Sequence, residues 1–333
     1  MARFKYLVSR FKYFVSRFKY LVSPFAYLLS RSNILFLAAF LCGLILPQAN
    51  VVAAALTLPA LTVILTITPL KIPRGFFRRS KKLMAPAIRG NVINYLLWGN
   101  FIILTGIFFI LDENLWIGMV LIAAAPPAIA VIPLSNLFKA DATSSIAGLT
   151  GTYLGALLIA PLFVLGFIKD APFGYWTCIF LAVELIVLPL VVSRIAVEKD
   201  WDKLIEPYEG IIIDCCFFIV FYSITANGRD VIMNWPPDLT SIILIAFIGI
   251  FSLVFAIEKI GKISHVAEKK ITSLLLLGTM KNYGLSGGIA LIFFTNEAAV
   301  PSLVFAGVTF IYTNWLKYKM RHIIGGSKKS IIT

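Results

Sequence analysis

The feature that most constrains this chain is the placement of its positive charge between long apolar runs. Runs of the length needed to cross a bilayer, about 20 residues each, recur from residue 34 to residue 316. Counted as ten spans, they put all but three of the 30 Lys and Arg on one side of the membrane. One span more or fewer scrambles that bias, which is the asymmetry expected of a polytopic helical protein. Composition agrees: 59% of the residues are hydrophobic and 14% charged, against about 45–50% and about 25% in soluble domains. A water-soluble enzyme, a disordered chain and a disulfide scaffold are all excluded. The net charge of +14 reports topology, and nucleic acid is not an expected partner.

Hydropathy predicts spans at about 34–48, 50–70, 91–111, 115–138, 142–168, 174–194, 209–227, 239–257, 272–294 and 298–316. Lys169 and Arg229 fall on the minority side and Lys281 inside a span. The rule places both termini in the cytoplasm of an integral, multi-pass membrane protein. Residues 1–31 are a basic heptad repeat, beginning FKYLVSR and FKYFVSR, with seven cations and no acid. On a helix, Phe4, Leu7 and Val8 share one side, and Lys5, Ser9 and Arg10 the other. An amphipathic helix on anionic lipids is one reading. An organelle transit segment and a repeat expansion that only reinforces orientation are the others. The remainder divides into a first five-span repeat at 32–170, a second at 171–316 and a basic cytoplasmic tail at 317–333.

The breakers inside the spans carry the functional signal. Span 4 contains Pro126, Pro127 and Pro133, and no regular helix is expected through that stretch. Span 9 contains Gly278, Gly284, Gly287 and Gly288 together with Thr279, Lys281, Asn282 and Ser286. Irregular backbone at membrane depth survives only when buried in protein or lining a wet cavity. Two sets of five spans are inverted relative to each other, and span 4 of the first corresponds to span 9 of the second. Paired interruptions of this kind point to a transporter's midplane site, with the two broken helices crossing there.

Several of these stretches resemble the bile acid:sodium symporter family of ten-span secondary transporters. They are ILTITPLKIPRGF (64–76), the proline-broken span 4 with its Lys139-Ala140-Asp141 turn, SITANGRDVI (223–232) and GTMKNYGL (278–285). The resemblance implies an all-α fold in which spans 3–5 and 8–10 form a core that moves against a panel of spans 1, 2, 6 and 7. It also implies what is missing. The family's sodium-ligating glutamate and glutamine fall on Leu277 and Lys281, its serine-asparagine pair on Val131 and Ile132, and its span 5 hydroxyls on Ser145 and Leu149. A hard cation needs several oxygen ligands, so the sodium sites are expected to be lost. No metal and no cofactor is expected.

A lysine at mid-span costs about 2.5–3.5 kcal/mol on insertion scales and therefore needs an interior partner. In this reading the Lys281 ammonium takes the place of a sodium ion at the carbonyl ends of the broken helices. Asn282, Thr279, Asn136, Thr150 and Asn94 are implied neighbours that bond the ligand or free backbone groups. Glu184, mid-span, is a candidate partner of Lys281 or proton carrier, and Asp214 lies nearer the cytoplasmic end of its span. His265 and His322 fall outside the spans, and Cys42, Cys178, Cys215 and Cys216 read as packing residues. The expected function is sodium-independent secondary transport of a small organic anion, with proton coupling open. A carrier similar to the auxin efflux proteins and a non-transporting sensor or scaffold are the alternatives. No catalytic set or nucleotide loop emerges, so an enzyme is not expected.

Overall fold

The computed structural model describes residues 32–76, 80–169, 171–172 and 174–329. The basic repeat at 1–31 lies outside the described residues, as does the end of the tail at 330–333. Among the described residues the fold is helical throughout, with no β-strand.

Among the described residues seven helical rods are long and apolar enough to cross a membrane. They are Pro47–Lys71, Leu83–Phe109, Ala142–Phe167, Tyr175–Glu198, Asp202–Asn227, Pro237–Ile263 and Asn296–Met320. The chain is thus a multi-pass helical membrane protein. The three other predicted spans correspond to shorter apolar helices, Ile34–Ile45, Glu113–Ala124 and Tyr283–Phe293.

In chain order we label the helices α1 (Ser32–Ile45), α2 (Asn50–Ile67), α3 (Ser80–Asn91) and α4 (Asn100–Phe109). Next come α5 (Glu113–Ala124), α6 (Val131–Leu137), α7 (Ala142–Phe167), α8 (Tyr175–Ala182) and α9 (Leu188–Glu198). The chain continues through α10 (Asp202–Ile205), α11 (Glu209–Asn227), α12 (Arg229–Asn234) and α13 (Pro237–Ile263). It ends with α14 (Glu268–Thr279), α15 (Tyr283–Phe293) and α16 (Asn296–Lys329). Two rods contain a wider π turn: Val92–Gly99 joins α3 to α4, and Val183–Val187 joins α8 to α9.

Local chemistry sets several starts and stops. Asp112 accepts from Leu115 N at 2.9 Å and caps α5, while Asp141 accepts from Ser144 N at 3.0 Å and caps α7. Each satisfies a backbone donor that the first helical turn leaves free. Arg229 donates from Nε to Leu44 O at 2.9 Å, placing a cation at the carbonyl end of α1.

Packing forms two groups that are joined by extensive contacts of α15 with α2 and α11, of α11 with α16 and of α7 with α8. α11 lies along α1 and α2, and α9 packs on α2. In the other group α3 packs on α7, α5 on α7 and α16, α13 on α14 and α16, and α15 on α16 and α5. Close approach within the second group depends on small residues. A Cβ on Gly118 of α5 would lie 2.3 Å from Ala298 O at the start of α16.

The span 4 break is narrower than the prolines suggest. α5 stops at Ala124, Ala125 is extended, and the helix resumes at Val131. Pro133 therefore does not break the chain; it sits in the first turn of α6, where its missing N–H has no helical acceptor to serve. In span 9 the interruption is Met280–Asn282, between the glycines rather than at them. Gly287 and Gly288 lie inside α15, and Cβ atoms there would come within 2.6 Å of Ile224 and 2.5 Å of Leu61. They allow close packing and do not unwind the helix.

Candidate functional site

The two interruptions meet. Ala128 N donates to Met280 O at 2.6 Å, and Asn282 N donates to Pro126 O at 2.9 Å. Pro127 and Lys281 thus face each other in a short antiparallel bridge. This contact answers where the backbone groups freed by the breaks find partners, which is obligatory away from water. α5 and α15, at 12 and 11 residues, are each about half of a bilayer's hydrocarbon thickness long at roughly 1.5 Å per residue.

Lys281 lies at this joint and is 1% exposed. Its Nζ donates to Ala123 O and Ala125 O, both at 2.9 Å. Those carbonyls close the C-terminal end of α5, where the helix dipole is negative. The amine also lies 5.2 Å from the centre of the Tyr95 ring, within cation–π range. Asn94, wholly buried, donates from Nδ2 to the same Ala125 carbonyl at 3.2 Å. The π turn of the second rod carries both Asn94 and Tyr95, and Tyr95 OH donates to Thr152 O at 2.9 Å on α7.

Asn282 works from the other side of the joint. Its Oδ1 accepts from Leu285 N at 3.1 Å, capping α15, and its Nδ2 donates to Tyr153 OH at 3.2 Å. Thr279 is fully buried and donates back to Leu275 O at 2.7 Å, ending α14. Tyr283 OH donates to Thr279 O at 3.4 Å and accepts from Thr309 Oγ1 at 3.1 Å on α16. Pro126 and Pro127 are buried in the joint.

Two clefts flank it, at different heights along α7. The first is lined by Ala125, Pro126, Ala156, Ala160, Leu185, Ile186 and Ser286, among others. The second involves Ile129, Ile132, Thr150, Tyr153, Ile186 and Leu190. Ile186 borders both. Their walls are apolar apart from Ser286 in one and Thr150 and Tyr153 in the other. Among the described residues no basic side chain lines either cleft, and the Lys281 amine sits one layer behind Ala125.

Other predicted residues lie elsewhere. Asn136 and Pro133 are exposed on α6, away from the joint. Ser145 is fully buried on α7, and its hydroxyl makes no hydrogen bond among the described residues. Glu184 does not pair with Lys281: it stands on the exposed face of its rod, while Leu185 and Ile186 face the first cleft. The partners of Lys281 are carbonyls and a ring face, not a carboxylate. Asp214 is half-buried on α11.

Sequence reasoning missed Tyr95, Tyr153 and Ile186. The two tyrosines had a readable signal, because a tyrosine away from the interfacial belts needs a hydrogen-bond partner inside the protein. Ile186 had none, being one aliphatic residue among many.

Fold and site together define a multi-pass helical membrane protein in which two interrupted apolar segments are hydrogen-bonded to each other inside the bundle. No family model matches the chain, and no curated protein matches it either.

Proposed function

We propose that this protein is a secondary transporter that moves a small organic anion by alternating access, without sodium. In this reading the seven long rods, α1 and the two broken spans make ten transmembrane segments in two inverted sets of five. The breaks in spans 4 and 9 are then their symmetry-related crossing, as the resemblance to the bile acid:sodium symporters implies. The two packing groups support a core moving against a panel. The clefts above and below the joint, sharing Ile186, are where a substrate would wait on either side.

The observation that carries the reading is Lys281. Its Nζ rests on two main-chain carbonyls at 2.9 Å, the position in which an ion-coupled carrier of this architecture would place a sodium ion. In this reading a tethered ammonium compensates those carbonyl dipoles, and in its charged form it favours an anion in the cleft adjoining Ala125. Because the amine returns with the carrier, inward movement of a monoanion works against an inside-negative potential by about 2.3 kcal/mol per 100 mV. Proton coupling, exchange or export removes that opposition.

The test is uptake of radiolabelled carboxylates into proteoliposomes with sodium or choline as the cation. Equal rates in the two are expected, with at least a tenfold loss in Lys281→Gln. Steep sodium dependence refutes the assignment of Lys281, and failure to move any anion refutes transport.

A further inference from the structure

Glu184 occupies a place that the transport reading does not use. It lies in the π turn of the rod Tyr175–Glu198, of whose apolar window only 28% is buried, against 44–61% for the other six long rods. At the tenth residue of 24, it is about 14 Å from one end and about 21 Å from the other at 1.5 Å per residue. A glutamate side chain cannot reach water from there. The rod's inner side is occupied, since Cys178, Leu181, Ala182, Leu185 and Ile186 line the first cleft. The outer side carries Trp176, Phe180, Val183 and Leu188, which are 79%, 66%, 40% and 54% exposed. Phe180, Glu184 and Leu188 follow one another at four-residue spacing on that side. Among the described residues, no ion pair or hydrogen bond engages the Glu184 side chain.

An ionisable group facing hydrocarbon is costly, and such groups in membrane spans normally find a partner. We propose that the partner is a second copy of this chain, which lays its own Tyr175–Glu198 rod against this one so that the two Glu184 carboxyl groups bond to each other. Two-fold pairing of one surface with itself sets a residue near the axis opposite its own counterpart. A carboxylic acid is self-complementary in that position, because it donates through O–H and accepts through C=O; lysine and arginine only donate. Acyl chains offer neither donor nor acceptor at this depth. Phe180 and Val183 on one side of the acid and Leu188 and Val191 on the other provide apolar ridges for contact between the rods. A polar side chain is an established adhesive between helices in lipid. The placement of the π turn fits, since such turns gather at functional positions. This inference does not depend on transport.

The experiment is single-molecule photobleaching of the full-length labelled protein in bilayers over a range of protein-to-lipid ratios. Dimers are expected, with the midpoint moved at least tenfold towards monomer in Glu184→Ala. Glu184→Gln, whose amide also donates and accepts, should keep the dimer. A second readout does not alter the acid: Leu188→Cys should form an oxidative dimer above the background of the unchanged chain, whereas Leu96→Cys, exposed on another rod, should not. Monomers at every dilution, dimers indifferent to Glu184→Ala, or cross-linking of Leu188→Cys to a protein of different mass would each overturn the proposal.

Discussion

Lys281 illustrates how much a single residue can reveal before any coordinates exist. An ammonium in an apolar run must be satisfied inside the protein, so its burial and its need for oxygen partners are legible in the sequence. Which oxygens it meets is not legible, because Ala123 and Ala125 contribute only main-chain atoms. Replacing it with methionine removes two buried hydrogen bonds, taking from Ala123 O its Lys281 donor and leaving Ala125 O with the bond from Asn94. Lys281→Met should lower stability by about 3 kcal/mol or more, measured by thermal unfolding in detergent. Asn282→Ala removes the cap of α15 and the bond to Tyr153. A loss of about 1–2 kcal/mol is expected, together with a larger fall in uptake, because the cap is part of the joint. At Gly287 a valine would press on Ile224 and Ser302. Overpacking of that kind costs about 1–3 kcal/mol, and melting in detergent should show it.

At the level of elements, apolar run length located the long rods well, because span length is set by the bilayer rather than by tertiary detail. The breaks were legible as regions but not as residues. Proline interrupts a helix interior yet is accepted in a first turn, and only the restart at Val131 distinguishes Pro133 from Pro126 and Pro127. Glycine in a membrane helix marks a break or a close contact equally well, and in α15 it is the contact. The π turns left no mark in the sequence, although Asn94 and Tyr95 at the joint and the outward-facing Glu184 all lie in them. The link after α2 also needed coordinates. Arg194 donates to the carbonyls of Pro69 and Ile72, and Arg74 donates to Val197 O and to Asp200. Asp200 lies outside the rods, where a hydrogen bond from Lys203, with Arg74 close by, lowers its carboxyl below the usual value. A lowered folded-state value means that this contact adds stability above the unfolded-state pKa and loses it as pH falls through the folded one. The acid side of the melting profile should therefore flatten in Asp200→Asn, by a small amount because the pair is solvent-screened.

For the whole molecule, the sequence told a membrane bundle from a soluble fold with little ambiguity. It could not indicate where space remains between the packing groups, because cleft walls and core are built from the same Ala, Leu and Ile. Ile186 borders both clefts, so enlarging it tests whether a single path runs between them. Ile186→Trp should cut uptake at least tenfold while leaving circular dichroism and dimer content unchanged. The bridge between Pro126–Ala128 and Met280–Asn282 has a wider bearing. Its two direct bonds, Ala128 N to Met280 O and Asn282 N to Pro126 O, run between main-chain atoms, and the side chains of Lys281, Asn94 and Asn282 brace them from outside. On the transport reading proposed above, the chemistry at position 281 is separable from the backbone bridge, so that a visiting ion or a resident amine could occupy the same scaffold.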